Sequence, residues 1–258
     1  MKIVVLAAGY GTRLYPLTLD TPKALLKVGG KAILERIMEN AFSIKDADRA
    51  VIVSNDKFYK GFSEWVGGVK GKPFMNGKAI EVLNDGTTSN ETRLGAIGDI
   101  AFAIDRMKFD DDLLIMGSDN LFEFNLQDFT DFARSKEKHA ALAFYDIRDI
   151  KLAHLYGIGH VDKDGAVLDF QEKPKEPKST LAATAIYYYP KEIVPLFKEY
   201  TDSGMSKDAP GNFIRWLISK QKVYGFVFTE KWYDIGDLKS FKIADKLYWD
   251  MENNRKEG

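Results

Sequence analysis

Residues Ile3 to Ala8 form a short apolar, β-branched run that passes without a spacer into Gly9, Tyr10, Gly11, Thr12 and Arg13. Such a run reads as a strand buried on both faces of a sheet, and the two glycines let the chain turn sharply at its end. Main-chain N–H groups left unpaired in a turn of this kind point at anions. Arg13 and Lys23 add fixed positive charge on either side, and Pro16 and Pro22 stiffen the stretch between them. The feature therefore implies a sheet with an anion-binding loop at a strand end, and a nucleotide triphosphate as the ligand.

Spacing excludes two other glycine loops. A dinucleotide-binding turn would place a third glycine at position 14, which is Leu14. A P-loop needs a glycine five residues before its Gly-Lys pair and a hydroxyl residue after it. None of Gly30, Gly71 or Gly77 has both.

Composition sets the outer bounds. With 258 residues, 45% of them hydrophobic and 13% aromatic, the chain can bury a sizeable core. A net charge of −1 lacks the basic footprint of a nucleic-acid binder. The absence of cysteine rules out disulfides, thiolate metal sites and a cysteine nucleophile, and a cytoplasmic setting is expected. The N-terminal apolar run is too short for a signal peptide, and no run of about 18 apolar residues occurs, so no membrane partner is expected.

Periodicity then alternates. Ile33, Leu34, Ile37, Met38, Ala41 and Phe42 fall at helical spacing, followed by a strand over Ala50 to Ser54, a helix over Lys57 to Val66 and a strand over Ile80 to Leu83. A helix is expected over Asn90 to Arg106, then an apolar strand from Leu113 to Met116 that ends in Gly117, Ser118, Asp119 and Asn120. This order predicts a mainly parallel sheet with helices on both faces and ligands at the carboxyl ends of its strands. Strands over Ala140 to Tyr145, Tyr156 to Val161, Val167 to Gln171 and Ala182 to Tyr189, with a turn at Asp162 to Gly165, predict antiparallel additions. Helices near Lys191 to Tyr200, Asn212 to Lys220 and Leu238 to Trp249 follow, and Arg255 to Gly258 reads as a frayed end. Asp110 to Asp112 read as a solvated turn, and His139, His154 and His160 as structural residues.

The glycine loop resembles the signature G-x-G-T-R-L-x-P-x-T-x-x-x-P-K of the sugar-phosphate nucleotidyltransferases, the family of glucose-1-phosphate thymidylyltransferases and uridylyltransferases. The match falls at Gly9, Gly11, Thr12, Arg13, Leu14, Pro16, Thr18, Pro22 and Lys23, and similarity extends to about residue 245. The resemblance implies a Rossmann-like three-layer α/β/α fold with a mixed, mainly parallel central sheet, the nucleotide-diphospho-sugar transferase fold. It also implies one nucleotidyltransferase domain over residues 1–258, without the C-terminal β-helix of some relatives. An NTP-binding half would cover about residues 1–125, and an acceptor-binding half about 126–250.

The resemblance further implies roles for individual residues. Leu6, Ala7, Ala8, Gly9, Gly11, Thr12 and Arg13 would hold the nucleotide, with Gly95 under the base and Asn84 in place of the glutamine that relatives use on a pyrimidine edge. Relatives carry L-G-T-G-G-A where this chain has Glu91 to Ala96, so base specificity departs from the pattern. Asp119, in a segment resembling G-D-N, and Asp234, in one resembling W-x-D-x-G, would hold Mg2+. Gly157, Glu172, Lys173 and Thr184 would receive the acceptor, with Glu172 and Lys173 in an E-K-P segment.

Arg13 would stabilise the leaving pyrophosphate, and Lys23 and Lys173 the reacting phosphates. The implied reaction is nucleotidyl transfer from an NTP to a sugar 1-phosphate. A cytidylyltransferase acting on phosphocholine, whose loop is similar, and a non-catalytic regulatory subunit are the alternatives. Taken without the resemblance, Asp119 and Asp234 could be helix caps, Glu172-Lys173-Pro174 an exposed strand end and Thr184 a strand threonine.

Overall fold

A computed structural model describes the backbone of residues 1–257 and the side chains through residue 254. The frayed end expected at Arg255 to Gly258 lies outside the fully described residues. The first half comprises β1 (Lys2–Leu6), β2 (Lys27–Val28), β3 (Lys31–Ala32), α1 (Ile33–Ala41), β4 (Arg49–Ser54), α2 (Asp56–Val69), β5 (Ala79–Asn84), α3 (Ala96–Met107), β6 (Leu113–Gly117) and β7 (Asn120–Phe122). Then come α4 (Leu126–Ser135), β8 (Ala140–Asp146), β9 (Gly157–Val161), β10 (Val167–Glu172), β11 (Leu181–Tyr189), α5 (Leu196–Asp202), α6 (Pro210–Ile218), β12 (Val223–Phe228), β13 (Trp232–Asp234) and α7 (Leu238–Glu257).

Among the described residues, nine strands form one sheet whose main path runs β10-β9-β11-β6-β1-β4-β5, with β8 paired to β11 and β12. Strands β6, β1, β4 and β5 are parallel, whereas β11 runs antiparallel to β6, β8 and β9. The small pair β7 and β13 stands apart from the sheet.

Alternate residues of β1 enter different cores: Ile3 and Val5 pack with α1, α2, α4 and α7, whereas Val4 packs with α3, α5 and α6. That is why the strand reads as continuously apolar, and it makes the molecule a three-layer α/β/α structure. Each such side chain removed from water contributes about 1.5–3 kcal/mol.

Phe144 on β8 joins β9 and β12 by filling a slot between two glycines. A Cβ on Gly159 would lie 2.2 Å from its Cζ, and one on Gly225 would lie 2.7 Å from its Cδ2. Gly159→Ala is therefore expected to destabilise the protein by about 1–3 kcal/mol, or more. Urea unfolding measures this, and an unshifted midpoint would show that Phe144 has room to move.

Several elements differ from the sequence reading, each for a local reason. The helix expected from Asn90 begins only at Ala96, because Gly95 sits at φ +79 and ends any helical run before it. The helix expected from Lys191 begins at Leu196, after Pro195. Asp110 to Asp112 are not simply a solvated turn: Asp111 pairs with the N-terminal amine at 3.1 Å, and Asp112 accepts from the Tyr188 hydroxyl and the Lys191 amide. Strand β11 is not regular, since Ala185 takes φ +56 and the pairing with β8 shifts register between Ala183 and Tyr187. Helix α4 and strands β7, β12 and β13 were not anticipated.

Candidate active site

The loop after β1 is held from within by groups the signature specifies. Thr18, fully buried, donates its hydroxyl to Gly11 O at 2.7 Å, and a Cβ on Gly11 (φ +63) would press on the Thr18 methyl at 3.2 Å. Leu14 is buried beneath. From β4, the buried Asn55 caps α2 through Phe58 N and donates to Ala8 O at 2.8 Å, tying the loop to the neighbouring strand end. A Cβ on Gly9, by contrast, would meet nothing within 4 Å. That glycine faces open space, which leaves its backbone approachable by a ligand.

Leu6, Ala7, Gly9, Gly11, Thr12, Arg13 and Lys23 line one cavity of about 430 Å3 together with Tyr10, Asn90, Arg93, Ser118 and Asp119. Ala8 is buried and serves the loop through its carbonyl.

Strand pairing delivers the two acidic residues to the same place. Asp119 follows β6, the strand beside β1, and β13 pairs with β7 so that Asp234 stands opposite Asn120, with Ile235 N donating to Asp119 O at 2.9 Å. Neither aspartate caps a helix. β7 follows Asp119, and the cap of α7 is Asp237, which accepts from Ser240 N.

The Asn120 amide donates to Asp119 Oδ1 at 2.7 Å and accepts from the Trp232 indole at 2.8 Å, so it fixes the first carboxylate. Lys23 Nζ donates to Asp119 Oδ2 at 2.6 Å and to Ile235 O at 2.9 Å. Burial works to raise the Asp119 pKa, but the Lys23 ammonium prevails and holds it below the usual carboxylate range. Asp234 is pushed up to about 6, first by burial and then by the Asp119 carboxylate, with Lys23 and Arg13 partly offsetting both.

Two facing oxygen donors of this kind suit a hard divalent cation. Magnesium usually takes one or two carboxylates and completes its shell with phosphate oxygens and water. Among the described residues no cluster of three or more acidic or histidine side chains forms a closed metal cage.

Among the residues expected to receive an acceptor, the Glu172 carboxylate lies between two glycines: a Cβ would come within 3.1 Å of its Oε2 at Gly157 and within 2.2 Å at Gly211. Burial raises the Glu172 pKa, opposed by Lys173 and reinforced by Asp208. Lys173 is exposed, takes φ +46 at the end of β10 and donates its N–H to Tyr156 O at 3.0 Å. The Tyr156 ring stands against Trp232 at 5.2 Å and feels the Asp234 charge, which brings this end of the cleft close to the two aspartates.

Three expected contacts are redirected by the fold. Thr184 is fully buried and donates its hydroxyl to Ala143 O at 3.1 Å, so the hydroxyl is committed within the fold. The Asn84 amide is committed to Asp56 Oδ1 and Gly86 N, both at 2.8 Å, and the residue does not line the cavity at the loop after β1. A Cβ on Gly95 would lie 2.5 Å from Lys207 O, so this glycine answers first to its own chain. The sequence reading missed Asn90 and Arg93, which lie where a helix was expected. The helix-breaking Gly95 was the signal that they belong to a loop.

These features define a three-layer α/β protein with cations and carboxylates gathered at its strand ends, and the chain belongs to the nucleotidyl transferase family, which matches it over residues 2–250. It is 27% identical over 253 residues, 98% of its length, to the bifunctional protein GlmU of Methanocaldococcus jannaschii, covering 55% of that protein. It is also 27% identical over 249 residues, 92% of its length, to the glucose-1-phosphate adenylyltransferase of Fervidobacterium nodosum, covering 59% of it. The chain thus spans between half and three fifths of the length of these curated relatives. A UDP-glucose pyrophosphorylase solved with UDP-glucose superposes with a TM-score of 0.81 at 18% identity, over 97% of this chain and 98% of that one. This likeness confirms the nucleotide-diphospho-sugar transferase fold.

Among the described residues no helix is long and apolar enough to cross a membrane.

Proposed function

We propose that this chain transfers a nucleotidyl group from an NTP to a sugar 1-phosphate, releasing pyrophosphate, with Mg2+ held by Asp119 and Asp234. The observation that carries the reading is the meeting of Arg13, Lys23, Asp119 and Asp234 at the end of β1 and β6. Residues of about 1–125 supply the nucleotide side and those of about 126–250 the acceptor side, with Asp234 returning to the first.

The acceptor phosphate is already largely ionised near pH 7, so it attacks the α-phosphorus without a general base. The protein's task is alignment and charge neutralisation. Arg13 stabilises the departing pyrophosphate, Lys23 orients Asp119 beside the reacting phosphate, and Lys173 holds the acceptor phosphate. A bound magnesium ion would supply further neutralisation of the phosphate charge. Glu172, with Gly157 and Gly211 leaving room around it, accepts from sugar hydroxyls.

A second reading, cytidylyl transfer to phosphocholine, draws on the aromatic group Tyr145, Tyr156 and Trp232, whose rings lie 5.2 to 5.7 Å apart along the chain of contacts. Such a group can hold a quaternary ammonium.

A matrix of NTPs against hexose 1-phosphates and phosphocholine, scored by pyrophosphate release, separates the readings. Preference for a hexose 1-phosphate is expected, and preference for phosphocholine selects the second. No release with any pair would leave a regulatory subunit. In the same assay Arg13→Ala should damage turnover with every acceptor, whereas Lys173→Ala should chiefly raise the acceptor KM. The reverse pattern would mean that the two ends of the cleft are exchanged.

A further inference from the structure

The nucleotide cavity carries a cation that the loop signature does not supply. Arg93 lines it together with Arg13, Lys23 and Asp119. Its guanidinium is held on two sides: Nε and Nη2 donate to Asp208 Oδ1 at 3.2 and 2.9 Å, and Nη1 donates to Asn90 O at 2.9 Å. An arginine has five donors, so two N–H groups remain for a ligand.

Asp208 is itself anchored by backbone. Lys207 O and Asp208 O accept from Ile97 N and Ala96 N at 2.9 and 3.1 Å, closing the N-terminus of α3. Only a glycine at position 95 lets this strap lie so close, since a Cβ there would fall 2.5 Å from Lys207 O.

We propose that Arg93 binds the phosphates of the nucleotide, and that Asp208, reaching over from the acceptor half, is the residue that positions it; this rests on the nucleotidyl-transfer reading above. Two arguments support the assignment. The side chains of Arg93 and Asp208 are 41% and 63% exposed, and a pair so accessible to water adds little stability, so the fold alone gives weak reason for it. Lys23, meanwhile, commits two of its three N–H donors to Asp119 and Ile235 O, at 2.6 and 2.9 Å, so the two free N–H groups of Arg93 add donors that the loop lysine lacks. A guanidinium fixed before the ligand arrives binds phosphate with little ordering cost. Asp208 also acts electrostatically on Glu172.

Calorimetric titration of the protein with inorganic pyrophosphate and with NTP, in the presence of Mg2+, tests this. Arg93→Ala should weaken pyrophosphate binding by roughly tenfold or more, and Arg93→Lys by less, because lysine keeps the charge but loses the fork. Asp208→Ala should weaken it by roughly severalfold, with partial recovery in Asp208→Glu. The double variant should bind no worse than Arg93→Ala alone, since a positioning residue has nothing left to position.

Wild-type binding with unchanged pyrophosphate affinity in Arg93→Ala overturns the assignment of Arg93. Additive losses in the double variant overturn the role of Asp208. Should Asp208→Ala not fold, Asp208→Asn replaces it in the cycle with the same expectations. A wild-type protein that binds neither pyrophosphate nor any NTP would instead overturn the nucleotidyl-transfer reading on which the assignment stands.

Discussion

Asp119→Asn and Asp234→Asn should each lower turnover by roughly a hundredfold or more while the fold survives, because losing a charge beside a reacting phosphate commonly removes a few kcal/mol of transition-state stabilisation. The two variants should nevertheless differ in stability. In Asp119→Asn the Lys23 ammonium loses its carboxylate partner and keeps only Ile235 O among its two bonds. In Asp234→Asn the change relieves a buried carboxylate that sits against Asp119. Asp119→Asn is therefore expected to melt below the wild type and Asp234→Asn at or above it. Excess chelator should silence the wild-type enzyme. Full activity in chelator, or near wild-type rates in both variants, would remove these residues from the reacting centre.

The second large effect concerns stability against pH, and comes from Asp99 in the first turn of α3. Its side chain is buried, its Oδ1 has no partner, and neither has Oδ2 of Asp85. Burial, reinforced by the Asp85 carboxylate, pushes Asp99 up to about 8. The folded protein therefore holds a proton there that the unfolded chain releases near the ordinary value of about 3.9. Since the native state binds more protons, this contribution is complete below pH 4 and is lost as pH rises through 8, a change on the order of 5 kcal/mol.

Asp99→Asn keeps a donor facing Asp85 and removes the ionisation. Its melting temperature should vary less with pH, exceeding that of the wild type at pH 9 and approaching it at acid pH. Parallel melting curves from pH 4 to 9 would exclude the buried proton. The consequence reaches the loop after β1, because Asp85 Oδ1 accepts from both the amide and the hydroxyl of Thr87 at 2.7 Å, and Thr87 O accepts from Tyr10 at 3.1 Å.

Strands buried on both faces were legible because their apolar runs need no partner to be recognised, as with Leu113 to Met116. Helix α4 presents buried Leu126, Phe129, Thr130 and Ala133 on one face, but about two turns of spacing, broken by a threonine and set among acidic and aromatic neighbours, is too short a pattern to separate from loop. Strands β7 and β13 have three residues each and exist only through pairing with one another, so no local pattern marks them. The bulge at Ala185 was equally silent. It lies where β11 passes from pairing with β9 to pairing with β6, and an alanine carries no sign of a left-handed backbone.

By itself the sequence determined what depends on near neighbours: the turn at Gly9 and Gly11, the charges of Arg13 and Lys23, and the α/β alternation that sends ligands to strand ends. Periodicity and turn chemistry act over a few residues, so they can be read in order along the chain. The tertiary structure decided which polar atoms remain free. Thr184 gave its hydroxyl to Ala143, Asn84 its amide to Asp56 and Gly86, and Gly95 its open side to Lys207. Arg93 lines the cavity with its guanidinium bonded to Asp208, 115 residues away, a contact that no local pattern announces. A hydrogen-bonding group is available to a ligand only after folding has brought up, or failed to bring up, a partner from elsewhere, and a single sequence carries no record of those distances.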